Sequence, residues 1–372
     1  MQRSGQTGGT RAVGVEEELF LVDPDSWQVT AVAPRALRAG VEEPGDDDSP
    51  GPEAEIYQQQ IETATEPFTS LSDLRHDLSR ARRGVTAHAD AVGAVPVAVS
   101  TPVLEHDAPR VTPDDRYRRI RREYGALADD ALVCGMHVHV DVHEDELARV
   151  MDGIRPWLPV LLAVSANSPF HRGVDTGHAS WRYQVWSRWP TAGPNEPFGD
   201  RATYDDVADR VQAWGAALDP GMLYFDVRPA AAYPTLEIRV ADVCTELDDA
   251  VLVAALARAL VTTLAEDDRP PSDTWRTDLL RAAAWRAAKV GVGDQLVHPV
   301  RQELAEAREV VTALLEHTRP ALEAAGDADT VHDLVEALFS RGSGATRQRA
   351  VHERSGELSA VMVDLAERTS PD

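Results

Sequence analysis

The sequence predicts an α+β domain built on a largely antiparallel sheet, followed by a helical C-terminal region. Up to about residue 245, segments of alternating apolar and polar residues are interspersed with segments of helical periodicity, and nearly everything beyond that point has helical periodicity. The regular strand–helix alternation of a doubly wound parallel sheet is missing. The chain of 372 residues has no internal repeat, and we expect a disordered tail at 1–10 and a single domain over 11–372.

The individual elements are predicted from the two periodicities. Alternation predicts the strands Ala12–Val22, Gly93–Ser100, Gly135–Val142, Leu223–Arg228 and Thr235–Ala241. Helical spacing predicts Ser70–Ala91, Pro113–Ala128, Glu144–Ile154 and Tyr204–Leu218 in the first part of the chain. In the C-terminal region it predicts Glu246–Ala265, Thr274–Ala288, Pro299–His317, Ala328–Ser340 and Arg347–Arg368. The acidic, Pro- and Gly-rich stretch 41–52 predicts an exposed loop.

The net charge of -25 restricts the possible partners. Nucleic acids and anionic membrane surfaces are bound by basic surfaces, so both are excluded as partners. No apolar stretch precedes the first predicted strand as a secretory signal would, and no apolar run is long enough to span a bilayer. We therefore expect a cytoplasmic protein that acts on small molecules. In so acidic a chain, an anionic substrate would need local arginines or bound metal cations.

Two of the predicted strands carry acids or histidines on one face, because residues two apart in a strand point the same way. In the first, Glu16 and Glu18 share a face, and two half-buried carboxylates repel each other unless a cation lies between them. In the third, His137 and His139 lie opposite an apolar face, a spacing that is frequent in metal and phosphate sites. An exposed, solvated face is the alternative explanation for both.

Two further segments carry charged side chains. Glu237 and Arg239 share a strand face and Arg228 lies on the preceding strand, where an ordinary cross-strand ion pair is the alternative. Glu55 and Glu62 would lie on opposite faces of an ideal strand, so a bulge or a strand start must separate them if they act together. One sheet with a polar face would unite all four segments. Carboxylates with a histidine suit Mg²⁺ or Mn²⁺ better than zinc, and arginines nearby indicate a metal-bound phosphate.

Five segments of the chain carry a combined signature: GVEEELF, EIYQQQIETAT, CGMHVHV, LLAVSANSPFHRGVDTGHASWRYQVWSRWPTAG and YFDVRPAAAYPTLEIRVAD. In this order they resemble the glutamate–cysteine ligase type 2 (carboxylate–amine ligase) family of the glutamine synthetase-like superfamily, from about residue 13 to residue 295. The resemblance implies a curved, largely antiparallel sheet with helices on its outer face and with ATP and Mg²⁺ (alternatively Mn²⁺) on its concave face. It also implies that the γ-phosphate of ATP passes to a carboxylate and that an amine attacks the acyl phosphate, with glutamate and cysteine as the expected pair.

The resemblance also implies roles for individual residues. Arg239 is expected to steady the transferred phosphate and His139 to face the phosphates. Arg228, an arginine close to these residues in the predicted sheet, is a further candidate for ATP binding. Arg182, in ASWR, resembles a residue that holds the carboxylate of the amino-acid substrate. The expected metal ligands are Glu16, Glu18, Glu55, Glu62, His137 and Glu237.

Some features bear on specificity and on other functions. His178 and Trp181 stand where the family usually has tyrosines, and Asp141 stands where glycine is common, which weakens the assignment of the substrate pair. Trp186 and Trp189 are expected to pack rather than to bind a ligand. Two alternatives remain open: a metal-dependent hydrolase of the amidohydrolase type, and a non-catalytic sensor of Mg-ATP. Family analogy further implies a homo-oligomer such as a dimer.

Overall fold

The structure is a computed structural model that describes residues 9–39, 51–231, 233–267 and 275–370. The predicted tail at 1–10 and the predicted loop at 41–52 lie largely outside the described residues. The strands are β1 (Val13–Val22), β2 (Glu53–Ala54), β3 (Gln60–Ala64), β4 (Val95–Val97), β5 (Gly135–Asp141), β6 (Phe170–His171), β7 (Val174–Asp175), β8 (Val227–Pro229), β9 (Thr235–Asp242), β10 (Gln295–Val297) and β11 (Leu304–Glu306). The α-helices are α1 (Ala33–Ala39), α2 (Leu71–Asp90), α3 (Asp115–Tyr124), α4 (Ala126–Asp129), α5 (Leu147–Ile154), α6 (Leu158–Ser165), α7 (Trp181–Trp186), α8 (Arg201–Ala213), α9 (Leu247–Glu266), α10 (Thr277–Val290), α11 (Ala307–Ala325), α12 (Ala328–Arg341), α13 (Gly344–Ser355) and α14 (Leu358–Thr369).

The main sheet has the strand order β2-β3-β1-β5-β9-β8, and β4 also pairs with β1. All of these pairings are antiparallel, in agreement with the predicted sheet. The strands β6 and β7 form a separate hairpin, and so do β10 and β11. Because β1 and β5 are neighbours, Glu16 and Glu18 of β1 lie beside His137 and His139 of β5.

One face of the main sheet is covered by helices, because α2, α6 and α9 pack against its strands. Val15, Leu19 and Leu21 of β1 are buried, and each fully buried leucine stabilises the fold by about 2 kcal/mol. The helix α2 begins after Ser70, whose side chain accepts the backbone N–H of Asp73 as an N-cap. This one-sided packing leaves the opposite face of the sheet available for polar side chains.

The strand prediction for Leu223–Arg228 is wrong over most of its length, because β8 begins only at Val227. The backbone before it is engaged elsewhere: the N–H of Tyr224 donates to Thr191 Oγ1 at 3.0 Å, and the N–H of Asp226 donates to the carbonyl of Gly193 at 3.1 Å. These hydrogen bonds to a preceding loop replace those that a neighbouring strand would supply.

Other boundaries also differ from the predictions. The predicted strand Gly93–Ser100 is reduced to β4, because the side chains of Thr369 and Thr245 take up the backbone groups of Ala98. The predicted helix Arg347–Arg368 divides into α13 and α14 at Gly356, which adopts a left-handed conformation with φ 75°. Pro299–His317 is also not one helix, because β11 precedes α11. None of the helices in the described ranges combines the length and apolar character needed to cross a membrane.

Candidate active site

The polar faces of β1, β5 and β9 lie side by side, because these three strands are consecutive neighbours in the sheet. The register places Glu16 opposite His137 and His139 opposite Glu237. Glu16 contacts both histidines: one carboxylate oxygen lies 3.2 Å from His137 Nδ1, and the other lies 3.2 Å from His139 Nε2. Three strands that are distant in sequence therefore contribute to one acidic and histidine-rich cluster.

A cavity of about 260 Å³ lies over this cluster. Every predicted site residue except Arg182 lines it. These residues are Glu16, Glu18, Glu55, Glu62, His137, His139, Arg228, Glu237 and Arg239.

Glu55 and Glu62 reach the same cavity because a strand start lies between them. The strand β2 ends at Ala54 and β3 begins at Gln60, so the two acids are not held to the alternation of a single strand. The register then places Glu62 opposite Glu18 of β1. The expected strand start between Glu55 and Glu62 is therefore present, and the two acids can act together.

The crowding of carboxylates perturbs their protonation. Burial raises the pKa of Glu18 to about 8, and the charge of Glu55 adds to this effect. Burial also raises the pKa of Glu62 well above its ordinary value, assisted by Glu55, Glu16 and Glu18. Burial acts in the same direction on Glu16, but hydrogen bonds with His137 and His139 outweigh it and lower its pKa. Cations that lie between carboxylates placed so close together stabilise their ionised forms.

The donor set fits divalent cations. Two groups of three side chains have ligand atoms that all lie within 4.8 Å of one another: Glu16 with Glu62 and His137, and Glu16 with His139 and Glu237. Burial lowers the pKa of His137 to about 4, and the charge of Arg239 acts in the same direction, so this imidazole is neutral. Its buried Nε2 has no hydrogen-bond partner among the described residues. Carboxylates with one imidazole per group suit Mg²⁺ or Mn²⁺.

Two arginines lie beside this cluster and pair with Glu237. Arg228 donates from Nε to one carboxylate oxygen at 2.6 Å and from Nη2 to the other at 3.2 Å, while Arg239 Nη1 donates to the second oxygen. Burial acts to raise the pKa of Glu237, but Arg239 and Arg228 outweigh it and lower the pKa to about 2. The cross-strand ion pair between Glu237 and Arg228, which was the alternative interpretation of these residues, is thus present. The same carboxylate also belongs to a potential metal-binding group, so the two interpretations are compatible.

Arg182 is not brought to the cavity lining. It is buried, and its Nη1 lies 3.3 and 3.5 Å from the carbonyl oxygens of Arg239 and Val240. Its guanidinium passes over Gly135, where a Cβ atom would lie 2.2 Å from Arg182 Nη2. Its predicted role in holding a substrate carboxylate stays a prediction.

The cavity also has an aromatic wall, which was not predicted from the sequence. Trp186 and Trp189 pack as expected, with ring centroids 6.0 Å apart, and Trp186 lies 4.7 Å from Tyr224. The same residues also line the cavity, together with Tyr57 and Tyr117. These rings come from separate segments with no shared periodicity, so no local pattern could have predicted their association. Arg116 of α3 lines the rim and pairs with Asp219 at 2.7 Å.

A second cavity, of about 540 Å³, adjoins the first. The two share four lining residues, namely Glu16, Glu62, His139 and Tyr233. The rest of its wall is composed mainly of small apolar and threonine side chains and backbone, from residues that include Gly14, Thr63, Ala64, Thr65, Pro67, Pro234 and Thr235. The acidic and histidine-rich cluster therefore lies between two cavities of different character.

Glu17, between the two site acids of β1, serves the core instead. It is fully buried, and both its oxygens accept hydrogen bonds from Arg82 of α2, at 2.8 and 2.6 Å. Arg82 also donates to the carbonyl oxygens of Cys244 and Thr245, which follow β9, at 2.6 Å each. This network joins β1 to the end of β9 on the packed side of the sheet, behind the cluster.

The sequence model of glutamate-cysteine ligase family 2 matches residues 12–364 of this chain. The chain belongs to this family. A relative from Frankia alni, with the provisional name glutamate–cysteine ligase 2-2, is 48% identical over 376 residues, which cover 97% of each chain. Membership of this family makes the chain an ATP-dependent ligase.

Solved structures show the same fold. The glutamate–cysteine ligase of Francisella tularensis in complex with AMP has a TM-score of 0.70 at 13% identity, over 97% of this chain and 88% of that chain. The bifunctional glutathione synthetase of Pasteurella multocida has a TM-score of 0.67 at 16% identity, over 97% of this chain and 52% of that chain. The predicted α+β class with a glutamine synthetase-like sheet is confirmed.

Proposed function

We propose that this ligase joins a carboxylate to an amine through an acyl-phosphate intermediate, with Mg²⁺ as the metal cofactor and with glutamate and cysteine as the substrates. The observation that carries this proposal is the position of the acidic and histidine-rich cluster between two adjoining cavities. Phosphoryl transfer requires a donor and an acceptor to approach from opposite sides of a region where negative charge is neutralised. The cluster with its flanking arginines is such a region.

The larger cavity suits the nucleotide. Its apolar surface can receive a flat base, and the side-chain hydroxyls of Thr65 and Thr235 can hydrogen bond to ring or ribose oxygens and nitrogens. Because Glu16, Glu62 and His139 form its border with the smaller cavity, the phosphates of a nucleotide bound there would extend to the cluster.

The cluster would hold the metal ions, through Glu16, Glu62 and His137 at one position and through Glu16, His139 and Glu237 at another. Glu18 and Glu55 line the same cavity and are additional candidate ligands. Bound Mg²⁺ would supply the positive charge that stabilises the transferred phosphate. The guanidinium groups of Arg228 and Arg239 offer further hydrogen-bond donors for the same oxygens.

The smaller cavity suits the two amino acids. Arg116, Arg228 and Arg239 line it and can pair with carboxylates, and the aromatic wall provides an apolar surface for the aliphatic parts. In the first step an oxygen of the substrate carboxylate bonds to the γ-phosphorus, and ADP leaves. In the second the amine nitrogen bonds to the acyl carbon, the carbon–oxygen bond to phosphate breaks, and the amine loses a proton.

The alternatives from the sequence are less favoured. Family membership argues against an amidohydrolase. Such enzymes often use a bridging lysine, but the only lysine of this chain, Lys289, lies on α10 near Gly177 and does not line the cavity. A sensor would bind Mg-ATP without turnover. Measuring the products of the reaction distinguishes a hydrolase and a sensor from a ligase.

The test is ADP release from Mg-ATP in the presence of glutamate and a panel of amines that includes cysteine. We expect release that requires both glutamate and an amine, is abolished by Glu237→Gln, and is unchanged in a control variant at the exposed Glu357, Glu357→Gln. Release that needs neither substrate would contradict the assigned pair. Binding of Mg-ATP without any release would support the sensor.

A further inference from the structure

Tyr233 is the fourth residue shared by the two cavities, beside Glu16, Glu62 and His139. Unlike those three residues, it has neither a carboxylate nor an imidazole to offer as a metal ligand, and most of its side chain is an aromatic ring. The residue is 66% exposed. A single exposed ring is ordinary on a protein surface, but this one forms part of the wall at which the two cavities meet.

The backbone next to Tyr233 is tied to the sheet. The carbonyl of Tyr233 accepts the N–H of Thr235 at 2.8 Å, and the carbonyl of Pro234 accepts the N–H of Val142 at 3.3 Å. Thr235 Oγ1 is hydrogen bonded to His139 Nδ1 at 3.1 Å. The backbone that carries Tyr233 is therefore anchored beside the cluster, while its ring has no packing role in the core.

The acyl phosphate of the proposed reaction must be protected from water. Water can attack the acyl carbon of an acyl phosphate in the same way as the amine does. A bond to the water oxygen then forms, the bond to the phosphate oxygen breaks, a proton is released, and the products are the original carboxylate and phosphate. Each such event consumes ATP without making an amide, and active sites limit such side reactions by excluding water.

We propose that the ring of Tyr233 shields the acyl phosphate from water at the junction of the two cavities. This inference rests on the proposed function. Tyr233 would protect the intermediate through the apolar area of its ring, whereas Glu16, Glu62 and His139 would bind the metal ions. The phenol hydroxyl is not required, and the binding of Mg-ATP is not expected to depend on the ring.

The experiment measures the ratio of ADP released to amide formed. The wild-type enzyme should give about one ADP per amide, and Tyr233→Ala should raise this ratio roughly three-fold or more, because water then competes with the amine. Tyr233→Phe should keep the wild-type ratio. Trp214, which is 76% exposed and lines neither cavity, provides the matched control, and Trp214→Ala should also keep it. Raising the amine concentration should lower the ratio of Tyr233→Ala.

Three outcomes would overturn the inference: an unchanged ratio in Tyr233→Ala, an equal increase in Tyr233→Phe, or a complete loss of ADP release in a folded Tyr233→Ala protein. Because the ring is exposed, its removal leaves no core cavity, and thermal unfolding should match the wild type. The proposed function fails separately, if the wild-type enzyme itself forms no amide.

Discussion

Glu16 of β1 lies in register with His137 of β5, and the two side chains are hydrogen bonded at 3.2 Å. The second carboxylate oxygen of Glu16 reaches His139, two residues further along β5. Glu16 is thus common to both groups of potential metal ligands, whereas Glu62 and Glu237 each belong to one of them. This sharing makes the effects of single substitutions on metal binding distinguishable.

Replacing Glu16 should affect both metal positions. We expect Glu16→Gln to weaken Mn²⁺ binding in both groups by about ten-fold or more, because it removes a shared carboxylate ligand. Glu62→Gln and Glu237→Gln should each weaken only one class of sites. Titration with Mn²⁺ followed by electron paramagnetic resonance checks this, and unaltered binding by Glu16→Gln would count against the shared ligand.

Breaking the buried pair between Glu17 and Arg82 should destabilise the fold. Arg82→Met leaves an unpaired buried carboxylate, and we expect a loss of about 3–5 kcal/mol in the free energy of unfolding. The double variant with Glu17→Met should recover much of this loss, since both charges are then removed. Denaturant-induced unfolding measures all three proteins, and equal stabilities of wild type and Arg82→Met would refute the prediction.

Two strand glycines provide a matched test of the contact between Arg182 and β5. An added Cβ at Gly135 would lie 2.2 Å from Arg182 Nη2, whereas one at Gly14 would have its nearest neighbours at 3.8 Å. We expect Gly135→Ala to displace Arg182 and to cost about 1–3 kcal/mol of stability, with Gly14→Ala close to neutral. Thermal unfolding compares the two variants. A larger loss in Gly14→Ala would show that the contact with Arg182 is not the limiting one.

The stability of the protein should depend on pH through Asp226. Burial raises the pKa of Asp226 to about 7, although the hydroxyl of Tyr183 donates to its carboxylate at 3.0 Å. The folded state therefore retains a proton that the unfolded state loses near pH 4, so this contribution to stability is present at low pH and is lost as the pH rises to 7. Relative to Asp226→Asn, the wild type should lose about 2–3 kcal/mol between pH 5 and pH 8. Urea unfolding of both proteins at the two pH values checks this, and parallel pH profiles would contradict it.

The polar faces of the strands could be predicted because they depend only on local alternation. Glu16 with Glu18, His137 with His139, and Glu237 with Arg239 each share a strand, and the antiparallel neighbours then bring them together. Family resemblance supplied the roles of these residues, which alternation alone does not distinguish from a solvated face.

The parts of the site that could not be predicted depend on contacts between distant segments. The partnership of Glu17 with Arg82 arises from packing on the far side of β1. The burial of Arg182 arises from its position against Gly135 and against the backbone of β9. The aromatic wall unites Trp189 with Tyr57, and the loop before β9 places Tyr233 between two cavities. None of these relationships has a period along the chain, so the sequence alone offers no signal for them.

In the proposed reaction, a substrate carboxylate is phosphorylated at the cluster between the two cavities. The most direct measurement uses glutamate labelled with ¹⁸O in its side-chain carboxylate, together with Mg-ATP and the amine that supports turnover. An acyl-phosphate intermediate transfers one labelled oxygen to each phosphate released, which mass spectrometry of the phosphate detects. We predict this transfer in the wild-type enzyme and no labelled phosphate from Glu237→Gln. Amide formation with unlabelled phosphate would contradict the account.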